Sequence, residues 1–133
     1  MIKIEQLNRS AVENYCSMLR DEGYRIFSIE RPSNVQEFFQ QVRASYPLNP
    51  LISEKCTNWD AFNDSLWGGL RSSPFSRIVL VIKDATLLHE GSRKDFKIML
   101  TCLADTASGV EEAIKNEEGK AAKIRVVLGL KGI

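Results

Sequence analysis

Histidine and cysteine are scarce in this 133-residue sequence: one histidine, His89, and three cysteines, Cys16, Cys56 and Cys102, far apart. A single histidine excludes a multi-histidine metal centre, and any hydrolase triad or dyad would depend on that one residue. Three scattered cysteines without a C-x-x-C pair make neither a disulfide framework nor a zinc or redox motif. No apolar run approaches the roughly 18 residues of a membrane-spanning helix. A large charge excess is also missing: 18 Lys and Arg stand against 17 Asp and Glu, a formal net charge of +1. A protein that coats nucleic acid would carry a strong basic surplus. Nucleotide signatures are absent, since the only glycine pair, Gly68-Gly69, follows an apolar helical pattern rather than a strand. The first residues, Met-Ile-Lys-Ile-Glu-Gln-Leu, lack the layout of a secretory signal. These absences together point to a reducing cytoplasm, with no cofactor and no metal.

What is present suits one globular domain: 44% hydrophobic and 26% charged residues. Ser10-x-x-Glu13, Ser33-x-x-Gln36 and Ser108-x-x-Glu111 read as capping boxes, and Thr57-x-x-Asp60 and Ser92-x-x-Asp95 as shorter versions. Apolar residues follow each at helical spacing, for example Val12, Tyr15, Cys16 and Leu19 after Ser10. Separate helices are therefore expected after Ser92 and after Ser108. Tyr24–Ile29, Ile78–Ile82 and Ile124–Leu130 read as strands, and the unbroken Ile-Val-Leu-Val-Ile run suits a central strand covered on both faces. Ile2–Glu5 is a candidate for a further edge strand. Strands separated by helical crossovers imply an α/β fold with a mostly parallel, three-stranded sheet and four to five helices.

The segment Thr57-Asn58-Trp59-Asp60-Ala61-Phe62-Asn63-Asp64-Ser65-Leu66-Trp67 carries the functional signal. On a helix, Trp59, Phe62, Leu66, Trp67 and Leu70 are expected to share a core-facing arc. Asp60 and Asp64 lie one turn apart on another face, with no basic residue between Cys56 and Leu70. Like charges at that spacing cost a helix a few tenths of a kcal/mol. Asp60 has a bland explanation as capping partner of Thr57, and Asp64 as part of a solvated face. A catalytic carboxylate pair needs a cleft and two unlike environments, which one helix surface does not supply. A rigid pair of carboxylates can instead dock on Arg or Lys side chains of a partner. His89, in Leu87-Leu88-His89-Glu90, reads as a loop or surface histidine, and the cysteines as small packed hydrophobes. A catalytic pairing of Cys56 or an aspartate with His89 has no support in the spacing.

Asn58-Trp59-Asp60-Ala61-Phe62, with Asp64 and Leu66, resembles the N-[LW]-[DN]-A-[LF]-x-D-x-L helix of the barstar family, small inhibitors of bacterial ribonucleases. The element order is similar too, over about residues 24–130. The resemblance implies a barstar-like domain over residues 24–133, with residues 1–23 an extension helix packed on it. It also implies a non-enzymatic protein that plugs a ribonuclease or nuclease-like toxin, an immunity or antitoxin role without direct contact to nucleic acid or membrane. By position, Asn58, Asp60 and Asp64 would be partner contacts, with Asp64 in the place of a substrate phosphate, and Gly68 would be a further contact. The sequence departs from the family pattern just before the helix, where Ser53-Glu54-Lys55-Cys56 replaces an aromatic, Gly-rich stretch. Its near-neutral charge also weakens long-range steering. These departures keep a second expectation open, an interaction or regulatory domain of the same fold that binds a non-nuclease protein.

Overall fold

A computed structural model describes residues 4–133. The elements run β1 (Glu5–Asn8), a 3-10 turn (Arg9–Ala11), α1 (Val12–Asp21), β2 (Arg25–Ile29), α2 (Val35–Ser45), α3 (Trp59–Arg71), β3 (Arg77–Ile82), α4 (Thr86–Gly91), α5 (Arg93–Glu118) and β4 (Lys123–Leu130). The strands form one parallel sheet in the order β1-β4-β3-β2. The sheet has four strands where three were expected. The fourth, β1, pairs Glu5 with Val127 and Asn8 with Leu130. Its position differs from the Ile2–Glu5 candidate, of which Ile2 and Lys3 lie outside the described residues.

Alternation along the strands divides the core between two faces. One face presents Ile29, Ile78, Leu80, Ile82, Ile124, Val126 and Leu128 to α2, α3, α4 and α5. The other presents Val79, Val81 and Val127 to Val12, Cys16 and Leu19 of α1. β3 is thus covered on both sides, as its continuous apolar run requires.

The helix starts correct several expectations. Only Ser92 caps as read, accepting from the Asp95 N–H at 3.2 Å. At α2 the cap is Asn34, which accepts from the Glu37 N–H at 2.9 Å, while Glu37 accepts from the Ser33 N–H at 3.0 Å. The box exists but is shifted one residue along the chain. Ser108-x-x-Glu111 is no cap at all: residues 93–118 form one continuous helix. Glu111 instead accepts from the Ile124 N–H at 2.7 Å, tying α5 to β4. The Leu87–Glu90 region, read as a loop, belongs to the short helix α4.

On the α1 face the sheet carries paired charge. Arg125 donates to Glu5 at 3.0 Å from Nε, and Tyr15 donates to the same carboxylate. Lys83 reaches Glu13 and Glu30, each at 2.9 Å. Asp84, at the carboxyl end of β3, accepts from Arg9 at 2.9 Å and from the Thr86 N–H at 3.0 Å. These contacts join residues before Tyr24 to β3 and β4.

Candidate functional site

α3 owes its position to an apolar face and a fastened loop. Phe62, Leu66 and Leu70 are buried. Trp59 and Phe62 pack with Phe38 and Phe39 of α2 at ring-centroid separations of 5.0–5.8 Å. The loop from Tyr46 to Asn58 is held from both sides. The Tyr46 hydroxyl donates to the Val81 carbonyl at 2.9 Å. The Asn49 N–H donates to the Ser65 carbonyl at 2.9 Å, and the Ser65 hydroxyl donates to the Pro50 carbonyl. Gly68 and Gly69 permit this approach. A Cβ on Gly68 would lie 2.0 Å from the Asn49 oxygen, and one on Gly69 would lie 1.7 Å from the Pro47 oxygen. Gly68 is half-buried beneath the loop, so the structure gives it a packing role.

Asn58, not Thr57, is the N-cap of α3. Its side-chain oxygen accepts from the Asp60 N–H at 2.8 Å and the Ala61 N–H at 3.2 Å. Among the described residues the Asp60 carboxylate accepts no hydrogen bond from Thr57, so the capping explanation for that side chain does not form. Asn58, Asp60 and Asp64 are all exposed. Among the described residues, no Lys, Arg or His nitrogen lies within 4.0 Å of either aspartate. Arg71, the next cation along α3, is engaged by Glu117 and Glu118. The two carboxylates therefore stand one turn apart on a helix whose opposite side is locked into the core.

Three neighbours escaped the sequence analysis. Trp67 was placed on the core arc but is 41% exposed. At about 100° per residue it falls roughly 60° beyond Leu70, close to the line of Asp60 and Asp64. Leu51 is 65% exposed and, with Ile52, Ala61 and Asp64, lines an open hollow of about 370 Å³. Asp105, exposed on α5, acts with Asp60 on the Cys102 thiol: burial first, then these two carboxylates, push its pKa up. The packing of α5 on α3 brings Asp60 and Asp105 both near Cys102, and no local pattern marks it. The helical wheel did hold the signal for Trp67, at the margin of the apolar arc.

The other candidates stay apart from this face. His89 lies on α4, its ring edge-on to Phe96 at 4.8 Å, and among the described residues it makes no hydrogen bond to a cysteine or carboxylate. Cys16 and Cys102 are buried, while Cys56 is half-buried and accepts from the Asn58 N–H at 3.5 Å. Among the described residues no three His, Cys, Asp or Glu side chains gather in an arrangement able to hold a metal ion. No described helix is long and apolar enough to cross a membrane.

What remains is an exposed acidic pair, capped by an asparagine and backed by a rigid core. Such a face can accept hydrogen bonds from cationic donors, and among the described residues it has no cationic partner to displace first. A family model described as Barstar (barnase inhibitor) matches residues 24–128. A search of curated proteins and a search of solved structures each returned no match.

Proposed function

We propose that this chain, which belongs to the barstar family, binds the active site of a basic ribonuclease or nuclease-like toxin through α3, in an immunity or antitoxin role. The family is one of inhibitor proteins, and its members bind a ribonuclease as protein partner. The observation that carries the reading is that, among the described residues, no cation of the chain lies at Asp60 or Asp64. A nuclease grips phosphate with Arg and Lys, and carboxylates already in position can take the place of that anion. In this reading Asp64 mimics the substrate phosphate, Asp60 and Asn58 flank it, and Gly68 is a further partner contact that also lets the loop seat against the helix. The chain itself performs no catalytic step.

Mixing the protein with barnase or a related basic ribonuclease, and following RNA cleavage, tests this directly. The wild-type protein should suppress cleavage at stoichiometric concentration. Asp64→Ala and Asp60→Ala should restore it while leaving the protein folded. Equal suppression by both variants would refute the mechanism. Inhibition should also weaken as salt rises, because exposed charges are screened over about 8 Å at physiological ionic strength.

A second reading has its own supporting observations. Lys55, just before α3, would repel a basic pocket, and the net charge of +1 gives little steering. A barstar-fold interaction domain for a non-nuclease protein would accommodate both. It predicts no effect on any ribonuclease tested and an unchanged dependence of its own complex on Asp64.

A further inference from the structure

We propose that Trp67 belongs to the same docking face, and that with Asp64 it selects an arginine of the partner over a lysine. The inference rests on the reading of α3 as that face and adds the chemistry of what it prefers.

Trp67 follows Asp64 by three residues and Asp60 by seven, so the three lie on one stripe, adjacent side chains being about one turn apart. An indole that is 41% exposed beside two uncompensated carboxylates is poorly explained by packing alone. Tryptophan is enriched among the residues that dominate protein interfaces. The ring is nevertheless held. Cζ3 lies 2.5 Å from where a Cβ on Gly109 of α5 would sit. Gly109 lies inside a continuous 26-residue helix, where glycine costs about 1 kcal/mol relative to alanine. That glycine gives the indole its seat. An aromatic side chain that is already placed loses little freedom on docking.

The remaining ring–cation contacts of the molecule sharpen the contrast. Phe75, also exposed, already carries the Arg25 guanidinium 5.3 Å from its centroid. Arg77 lies over Tyr24, and Arg125 over Tyr15 and Tyr24. Among the described residues, no cation of the chain occupies Trp67. A guanidinium can bind a carboxylate through two parallel N–H donors and still present a flat face to an indole. A lysine ammonium is a point charge and does not make the paired in-plane contact. On the other flank Leu51 walls the hollow that Asp64 lines. Apolar groups on both sides of the acids would exclude water once the partner is seated, which strengthens the charge-assisted bonds within.

Titrating the full-length protein with capped tetra-arginine and tetra-lysine peptides, and following each backbone amide and the indole N–H resonances by NMR, provides the test. With the arginine peptide, the Asp64 amide and the Trp67 indole N–H should shift together. The affinity read at Trp67 should exceed that of the lysine peptide by about two- to fivefold, the range of an exposed cation–π contact. Trp67→Leu should erase the preference while the Asp64 amide still responds. Trp67→Phe, which keeps a ring against Gly109, should retain part of it and serves if the leucine variant unfolds. Asp60 and Asp64 responding without Trp67, or equally to both peptides, would overturn the inference and leave the acidic face standing. Silence at Asp60 and Asp64 with both peptides would overturn the acidic-face reading and this inference with it.

Discussion

The carboxylates of this protein fall into two regions with opposite fates. At the carboxyl end of the sheet, Asp84 is buried and fully engaged. Arg9 and the Thr86 N–H donate to it, and Arg31 lies 3.7 Å away. Burial alone would raise its pKa, but the hydrogen bonds from Thr86 and Arg9 outweigh this and hold it below the ordinary aspartate range. Glu5 shows the same balance, with burial opposed by Arg125 and Tyr15. On α3, Asp60 and Asp64 are exposed and have no such partners among the described residues. The first set is already used in holding the N-terminal strand and helix to the sheet. The second has no ion-pair partner among the described residues, and it sits on a helix whose other side is buried through Phe62, Leu66 and Leu70. Paired carboxylates stabilise the molecule, and unpaired ones on a rigid support are available to another molecule.

Substitutions in the two regions should therefore separate binding from stability. If the proposed function holds, the largest effect is expected from Asp64→Ala on the complex with a basic ribonuclease. Truncating one side of a desolvated charge pair costs about 2–5 kcal/mol, a magnitude taken from characterised interfaces, the barnase–barstar pair among them, and not calculated for this chain. Titration calorimetry would read it as a loss of about 30-fold or more in affinity. Next comes Gly69→Ala, whose methyl group would collide with the Pro47 carbonyl. It should cost about 1–3 kcal/mol of stability, seen in denaturant unfolding, and loosen the loop beside Asp64. Asp84→Ala, which strands Arg9 and the Thr86 N–H, should cost about 1–3 kcal/mol of stability and leave nuclease affinity unchanged. Smallest is the effect of Asp64→Ala on stability, expected within about 0.5 kcal/mol.

The same contrast has a pH signature. The pKa values of Asp84 and Glu5 are lower folded than unfolded. Their contribution is present above the ordinary carboxylate pKa of about 4 and is lost as pH falls through the depressed values. Asp84→Asn should flatten the acid limb of a stability-against-pH curve. At the alkaline end, burial first and then the Glu5 carboxylate push Tyr15 up to about 12. The unfolded chain ionises near pH 10 and the folded chain later, so stability should decline from about pH 10 to 12. Tyr15→Phe should remove that part of the decline.

Strands β2, β3 and β4 and the identity of the acidic helix were legible because each depends on local pattern. The Ile78–Ile82 run suits a covered strand, and an acidic pair at i, i+4 on an apolar-backed helix is visible on a wheel. Errors arose where tertiary contact decided the outcome. Ser108 and Gly109 look like a helix boundary, yet packing against Trp67 and the bond from the Ile124 N–H to Glu111 carry α5 straight through them. Asn34 and Asn58 displaced Ser33 and Thr57 as caps, since asparagine caps at least as well and one residue of chain direction decides between them. Strand β1 has only four residues and shares just Glu5 with the Ile2–Glu5 candidate, and its pairing with β4 spans more than a hundred positions, so no local pattern fixes its place in the sheet. At the site, Asp60 and Asp64 could be named from the sequence. Leu51 and Asp105 could not, because a loop and a second helix bring them there.

The most direct test of the central claim is the affinity of Asp64→Asn for the nuclease, measured beside its unfolding free energy. This substitution removes the charge and keeps the shape. The account predicts binding weakened by at least about 30-fold, with stability unchanged to within about 0.5 kcal/mol. Undiminished affinity would contradict it, because the negative charge on α3 would then have no part in recognition.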